Sequence, residues 1–225
     1  MSKKLVFLHT VPTLVGLFKE LAAEILPAEI ELLHLVDEIL LKVVLAQGGL
    51  SPFIYRRVSE HARAAEEAGA DALLLTCSSI SPCADVARLL VRIPVLKIDE
   101  PMVRQAIALG RRIGVVATAP TTLKPTSEAV QTQARLAGAE VQVDPVLRRD
   151  AYEALFAGDL AMHDRIVRET IKELMSRNDV VILAQASMAR VADTIPADER
   201  LVPILSSPRL AVENARDVLE TAQYR

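Results

Sequence analysis

The chain has 225 residues, 51% of them hydrophobic, with 26 basic against 29 acidic side chains and a formal net charge of −3. That is enough apolar material for one large domain or two small lobes. The acidic balance, the lack of a basic stripe, 3% aromatics and no Trp argue against a nucleic-acid partner. No apolar run approaches the roughly 20 residues that cross a bilayer. The apolar piece behind Lys3-Lys4, Leu5 to Leu8, is too short for a signal peptide. Two cysteines without a secretion signal fit a reducing cytoplasm.

Taken in order, the chain alternates strands with helices. Lys3 to Thr13 reads as a strand and a loop, Leu14 to Ile25 as a helix, and Glu29 to Val36 as the next strand. Ser51-Pro52 supplies an N-cap and a first helical position for a long helix to about Ala68, which Gly69 ends. Ala72 to Leu75 is a short apolar run that passes into Thr76, Cys77, Ser78, Ser79 and Ser81. That is the pattern of a buried strand delivering its C-terminal tip to a crevice, where open α/β sheets bind ligands. A helix from Pro82 to Val91, with Ser81 as its N-cap, would aim free N–H groups at the same place. Pro94 to Ile98 is a fourth strand, and Pro101 opens a helix to Leu109. Asp99-Glu100 reads as the start of that helix rather than as paired catalytic carboxylates.

From Arg111 the pattern restarts. Arg111 to Thr121 repeats Lys3 to Thr13 at an offset of 108: two basic residues, apolar ones, then Thr, Pro and Thr in matching places. The same offset carries Asp71 onto Asp179, Cys77 onto Gln185, and the apolar run before Cys77 onto Val180 to Ala184. Pro94-Val95-Leu96 maps to Pro203-Ile204-Leu205 one residue out of phase, and Ala28-Glu29-Ile30 to Ala139-Glu140-Val141 three out. Four matches in order imply two α/β lobes, each with a four-stranded parallel sheet flanked by helices. If a pseudo-twofold axis relates them, Thr10 and Thr13 face Thr118 and Thr121, and Cys77 faces Gln185. A cleft with one thiol, one amide and many hydroxyls suits a small anion held by hydrogen bonds.

These motifs resemble those of the aspartate/glutamate/hydantoin racemase superfamily, which also contains maleate isomerase and arylmalonate decarboxylase. Cys77-Ser78-Ser79 resembles its first cysteine motif. Ala184-Gln185-Ala186-Ser187-Met188 resembles the second, which is Gly-Cys-Ala-Gly-Met in hydantoin racemases. The resemblance covers nearly the whole chain and implies two similar lobes with the active site in the cleft between them. It implies a small carboxylate or amide-like substrate, no cofactor, no metal, and a homo-oligomer, often a dimer. It also brings the helix from Pro208 back to the first lobe, giving lobes of residues 1–98 plus 209–225 and 99–208. In the family one cysteine removes a proton beside a carboxyl or carbonyl group and the other returns one to the opposite face. Here glutamine, which has no titratable proton, stands at the second position. The resemblance therefore implies a cofactor-independent, cytoplasmic racemase- or isomerase-type enzyme in which Cys77 is the base or nucleophile. A carbon–carbon lyase such as a decarboxylase, and a small-carboxylate binding protein without catalysis, are the alternatives.

Each candidate has a structural reading beside the functional one. Cys77 is either the catalytic thiol, with its pKa lowered from about 8.5 toward neutrality, or a buried cysteine beside capping serines. Cys83 lies in a helix on an apolar register and reads as a core thiol. Ser78 and Ser79 donate to a substrate carboxylate or cap a turn. Thr10 belongs to the same strand-tip cluster, and Thr118, Thr121 and Thr122 repeat it in the second lobe as anion-binding hydroxyls. His9, where glutamate racemases carry an aspartate, orients substrate, acts as a second acid, or is a satisfied loop histidine. Gln185 and Ser187 are hydrogen-bonding groups for a carboxylate or oxyanion, or, for Ser187, a helix cap. His34, His61 and His163 have no metal-ligand spacing, and no phosphate-binding glycine motif is present.

Overall fold

The structure is a computed structural model and describes residues 2–221. The chain divides into two compact units, one of residues up to Ile98 together with those from Pro208 on, the other Asp99–Ser207. The first unit runs β1 (Lys4–His9), α1 (Leu14–Ile25), β2 (Glu31–Val36), α2 (Glu38–Gln47), α3 (Pro52–Glu67), β3 (Ala72–Leu75), α4 (Cys83–Ala87) and β4 (Val95–Lys97). The second runs α5 (Glu100–Leu109), β5 (Arg112–Ala117), α6 (Pro120–Leu136), β6 (Gln142–Leu147), α7 (Arg149–Phe156), α8 (Leu160–Met175), β7 (Val180–Leu183), α9 (Ala189–Asp193) and β8 (Ile204–Ser206). The last helix, α10 (Ser207–Thr221), contributes to the first unit, where Arg209 reaches Glu24 of α1 at 2.6 Å.

Each unit holds a four-stranded parallel sheet, ordered β2-β1-β3-β4 in the first and β6-β5-β7-β8 in the second. The central strands β3 (ALLL) and β7 (VVIL) are buried throughout. Continuous apolar runs of this kind suit parallel strands covered by helices on both faces. In the first unit Val6, Leu8, Leu73 and Leu75 pack against Leu40 of α2 and Ile54, Val58 and Ala62 of α3. In the second, Val116, Val181 and Leu183 pack against Ile166, Val167, Ile171 and Leu174 of α8.

The repeat is visible in the register. Leu5 lies opposite Ala72, and Ile113 opposite Val180, both displaced by 108. Leu73 pairs with Val95 as Val181 pairs with Ile204, and Lys4 pairs with Glu31 as Arg112 pairs with Gln142. The one-residue slip therefore falls between the third and fourth strands, and the three-residue slip comes from α6 being longer than α1, the loops before β2 and β6 being equal. At the start of the central pair, a carboxylate ties the strands together in both units. Asp71 Oδ2 accepts from Lys4 N at 2.7 Å, and Asp179 Oδ2 accepts from Arg112 N at 2.8 Å and Arg111 N at 3.0 Å. Gly69, at φ 76°, ends α3 in the left-handed region that favours glycine, as Gly138, at φ 63°, ends α6.

Three local features differ from the sequence reading. The segment Glu38–Gln47 is a helix, α2, capped by Asp37, whose side chain accepts from Ile39 N. Its hydrophobic positions are spread round the helix (EILLKVVLAQ), so no 3.6-residue stripe announces it. Ser51 occupies the N-cap position of α3, but its hydroxyl is buried without a hydrogen bond. The helix expected from Pro82 to Val91 is reduced to Cys83–Ala87, preceded by a separate 3₁₀ turn, Ser78–Ile80. No helix among the described residues is long and apolar enough to cross a membrane.

Two glycines make opposite predictions. A Cβ on Gly110 would overlap the Asp179 Cβ, whereas one on Gly16, in α1, would meet nothing within 4 Å. Gly110→Ala is expected to lower unfolding free energy by about 1–3 kcal/mol through overpacking. Gly16→Ala is expected to raise it by up to about 1 kcal/mol through helix propensity. Chemical denaturation of the two variants against the parent measures both signs.

Candidate active site

Cys77 sits two residues past the end of β3 in extended backbone (φ −138°, ψ 120°) and is the N-cap of the 3₁₀ turn Ser78–Ile80. The side chain is half-buried and packs on the apolar cluster shared by Leu73 and Leu75. The turn is closed by Ile80 N donating to Cys77 O at 3.1 Å. Burial pushes the thiol pKa up, and the nearby Thr10 and Ser79 hydroxyls and Ser79 and Ile80 amides pull it back without cancelling the rise. Thr10 Oγ1 is buried and makes no hydrogen bond, so its pull on the thiol is that of a nearby dipole. The expected lowering of the Cys77 pKa is thus corrected: desolvation outweighs the donors. Its amide donors come from the thiol's own 3₁₀ turn rather than from a helix beginning at Pro82. Ser81, the expected cap, has helical backbone and a buried hydroxyl without a partner. Cys83 is fully buried in the core cluster, with its pKa pushed up to about 12 by burial and by Asp85.

Beside this thiol, the tip of β1 carries a buried polar chain. His9 Nδ1 lies 2.9 Å from Thr76 Oγ1, and Thr76 Oγ1 lies 3.0 Å from Leu8 O. Leu8 O only accepts, so the single Thr76 proton goes there and His9 Nδ1 carries the proton that Thr76 accepts. His9 Nε2 is then an acceptor, and it meets His34 Nδ1 at 2.9 Å. The β1–β2 register places His34 opposite Phe7, and Phe7, His9 and His34 stack within 6 Å of one another. His9 is fully buried, and burial followed by the charge of His34 lowers its pKa to about 4. Both of its ring nitrogens are engaged inside the first unit. His34 is also shifted down, by burial and then by Lys19.

The second unit builds its strand tip from the matching residues. Gln185, the counterpart of Cys77, is again the N-cap of a 3₁₀ turn, Ala186–Met188, closed by Met188 N donating to Gln185 O at 3.1 Å. Its Oε1 accepts from Thr118 N at 2.6 Å, Thr118 Oγ1 at 2.9 Å and Ala119 N at 3.4 Å. Two backbone amides among the donors fix the oxygen, rather than the nitrogen, at that point. Thr10 and Cys77 in the first unit and Thr118 and Gln185 in the second stand at matching positions at the repeat's offset, but only the second pair is hydrogen-bonded. Thr121 and Thr122 are buried in the first turn of α6, while Ser187 is exposed. Ser78 and Ser79 are buried in the first unit's turn.

One pair of site-edge residues carried no signal in the sequence pattern. Asp37 N donates to His9 O, and Arg148 N to Ala117 O, both at 2.9 Å, so the two residues occupy equivalent positions beyond β2 and β6. Asp37 Oδ2 accepts from Arg57 Nε at 2.5 Å and meets His61 Nε2 at 2.6 Å. Burial would raise its pKa, but these bonds outweigh it and hold the carboxyl below the usual range. Arg148 instead donates to Thr170 at 2.6 Å and to Asp150.

The sequence model of the Asp/Glu/hydantoin racemases matches residues 43–215, a span that includes both strand-tip turns and most of both units. The chain belongs to that family. It is accordingly an isomerase-type enzyme, and the resemblance read from the Cys77 and Gln185 motifs named the right family. A proposed Asp/Glu racemase from Yersinia pestis superposes with a TM-score of 0.76 at 17% identity, over 97% of this chain and 99% of its own. Allantoin racemase from Klebsiella pneumoniae does so at 0.72 and 18%, over 98% and 89%. Glutamate racemase from Francisella tularensis, solved with D-glutamate, does so at 0.73 and 18%, over 99% and 82%. At these identities the superpositions establish the fold. A search of curated protein sequences finds no match.

In this racemase-family chain the buried His9 makes stability depend on pH. Its folded-state pKa of about 4 lies below the ordinary histidine value of 6.5, so the unfolded chain takes up the proton first as pH falls. The stability is complete above pH 6.5 and is lost progressively down to about pH 4, by about 3 kcal/mol. Urea midpoints measured across that window should fall more steeply for the parent than for His9→Gln.

Proposed function

We propose that this racemase-family enzyme carries out cofactor-independent proton transfer, or nucleophilic attack, through Cys77 on a small carboxylic acid or amide-like substrate. The observation that carries this reading is the half-buried thiol ringed by the Thr10 and Ser79 hydroxyls and the Ser79 and Ile80 amides. The dipoles of these hydroxyls and amides stabilise the thiolate relative to the same buried group without them. In the proton-transfer step the thiolate takes a proton from the carbon beside the carboxyl. The C–H bond breaks, an S–H bond forms, and the electron pair stays on the substrate as an enolate-like anion. Reprotonation reverses the sulfur's part. Thr121 and Thr122, with Ser78, are the hydroxyls assigned to the carboxylate, because Thr118 gives its proton to Gln185 Oε1, and His9 is a positioning residue that holds the Thr76 hydroxyl through Nδ1. Gln185 cannot relay a proton, so exchange is expected on the Cys77 face. The working compartment in this reading is the reducing cytoplasm, where Cys77 stays a free thiol.

The upward shift of the thiol favours a second reading. A thiol protonated at neutral pH is ready to deliver a proton to a carbanion, which is what a carbon–carbon lyase such as a decarboxylase needs after its substrate loses carbon dioxide. The pH profile separates the two. Chemistry through the thiolate rises with pH until the thiol has titrated, whereas proton delivery is flat below that point and falls above it.

The first test is a panel of small α-substituted and unsaturated carboxylates in deuterated buffer, read by NMR. Solvent deuterium in one enantiomeric position only is the expected result. Comparable labelling of both enantiomers would mean that a second base exists. Cys77→Ala should abolish the activity by a factor of about 10² or more while leaving the fold intact. Iodoacetamide should label Cys77 well before the fully buried Cys83, as read by peptide mass spectrometry.

A further inference from the structure

We infer that Gln185 is a specificity-determining residue that offers the ligand a fixed hydrogen-bond donor and no acceptor, selecting an acceptor-only group such as a carboxylate or carbonyl oxygen and rejecting an ammonium group. The inference rests on the small-carboxylate reading above and adds which substituents that substrate carries.

The argument starts from valence. A carboxamide oxygen has two in-plane lone pairs, and three donors already converge on Gln185 Oε1: Thr118 N at 2.6 Å, Thr118 Oγ1 at 2.9 Å and Ala119 N at 3.4 Å. The acceptor capacity of the side chain is therefore spent inside the second unit. These bonds also fix which way the planar amide faces, because a flip would set the NH₂ group against two backbone N–H groups. The Nε2 amide makes no hydrogen bond to any of the described residues, and Gln185 is partly open to solvent. What remains for a ligand is a pair of oriented N–H bonds.

Thr118 spends its hydroxyl proton on the same oxygen, and the Asp150 carboxylate, beyond the tip of β6, is tied to the Arg148 guanidinium at 2.7 Å. A carboxylate or carbonyl oxygen placed at Nε2 gains a bond. An ammonium group placed there sets donor against donor and keeps its desolvation cost, the arrangement that gives large discrimination at sites built around fixed polar groups.

The test uses two dicarboxylates that differ at one position, succinate and L-aspartate, titrated calorimetrically into the enzyme and its variants. Gln185→Glu is nearly isosteric. One carboxylate oxygen takes the place of Oε1 before the same three donors, and the other turns the exposed donor into an acceptor. The parent should bind succinate at least tenfold more tightly than aspartate. Gln185→Glu should reverse or abolish that ratio, and Gln185→Ala should bring it close to one. Circular dichroism confirms that each variant is folded, and the alanine variant serves if the glutamate one is not. The same ratio should persist in the Cys77→Ala background, where no turnover occurs, so failure of the thiol chemistry is distinguishable from failure of this inference. Equal or tighter binding of aspartate by the parent, an unchanged ratio in both Gln185 variants, or binding of neither acid overturns it.

Discussion

The pairing of the first and third strands in each unit is the constraint on which the site depends. β1 and β3 run parallel and are tied at both ends. Asp71 bonds the Lys4 amide where they begin, and Thr76 N donates to Leu8 O at 3.0 Å where they finish. With that register fixed, residue 10 must emerge beside residue 77. The second unit repeats the arrangement with Asp179 on Arg112 N and Ala184 N on Val116 O, and so residue 118 emerges beside residue 185. A slip of one residue in a parallel pair would turn every side chain to the other face of the sheet, and neither contact would form.

On this shared frame the two units have diverged in chemistry rather than in backbone. In the first, the strand-tip threonine meets a thiol, and a turn of one 3₁₀ repeat supplies two amides to the same sulfur. In the second, the matching threonine meets a carboxamide oxygen and adds its own amide to the bond. The polar chain Thr76–His9–His34 has no counterpart, because Ala117 and Ala184 stand where His9 and Thr76 do. One unit therefore keeps a titratable group in a partly desolvated setting, and the other holds a neutral group whose orientation is fully determined.

The electrostatics follow from which of two opposed effects is larger at each position. At Cys77 burial wins over the surrounding hydroxyls and amides and pushes the thiol pKa up. At Asp37 the Arg57 and His61 bonds win over burial and hold the carboxyl below its usual range. The difference is that the Asp37 carboxylate is paired with a guanidinium, charge against charge, while the thiol is offered only dipoles.

The sequence by itself determined the strands, their order of appearance and the repeat, because buried parallel strands are written as uninterrupted apolar runs followed by small polar residues. Leu14 to Ile25 and Ala72 to Leu75 coincide with α1 and β3. It also determined that residues 77 and 185 end equivalent strands, since an offset shared by four segments survives any detail of packing. Helix α2 escaped because an apolar decamer without a stripe carries no period, and the helix after Cys77 was drawn too long because a 3₁₀ turn and a short helix have the same composition as one helix. Only the tertiary structure decided that His9 and His34 touch, that the Thr118 donors are spent on Gln185, and that the Cys77 thiol is raised rather than lowered. Each of these depends on distances between residues 25 to 67 positions apart in the chain and on how much solvent the fold removes, and neither quantity is written in local residue order.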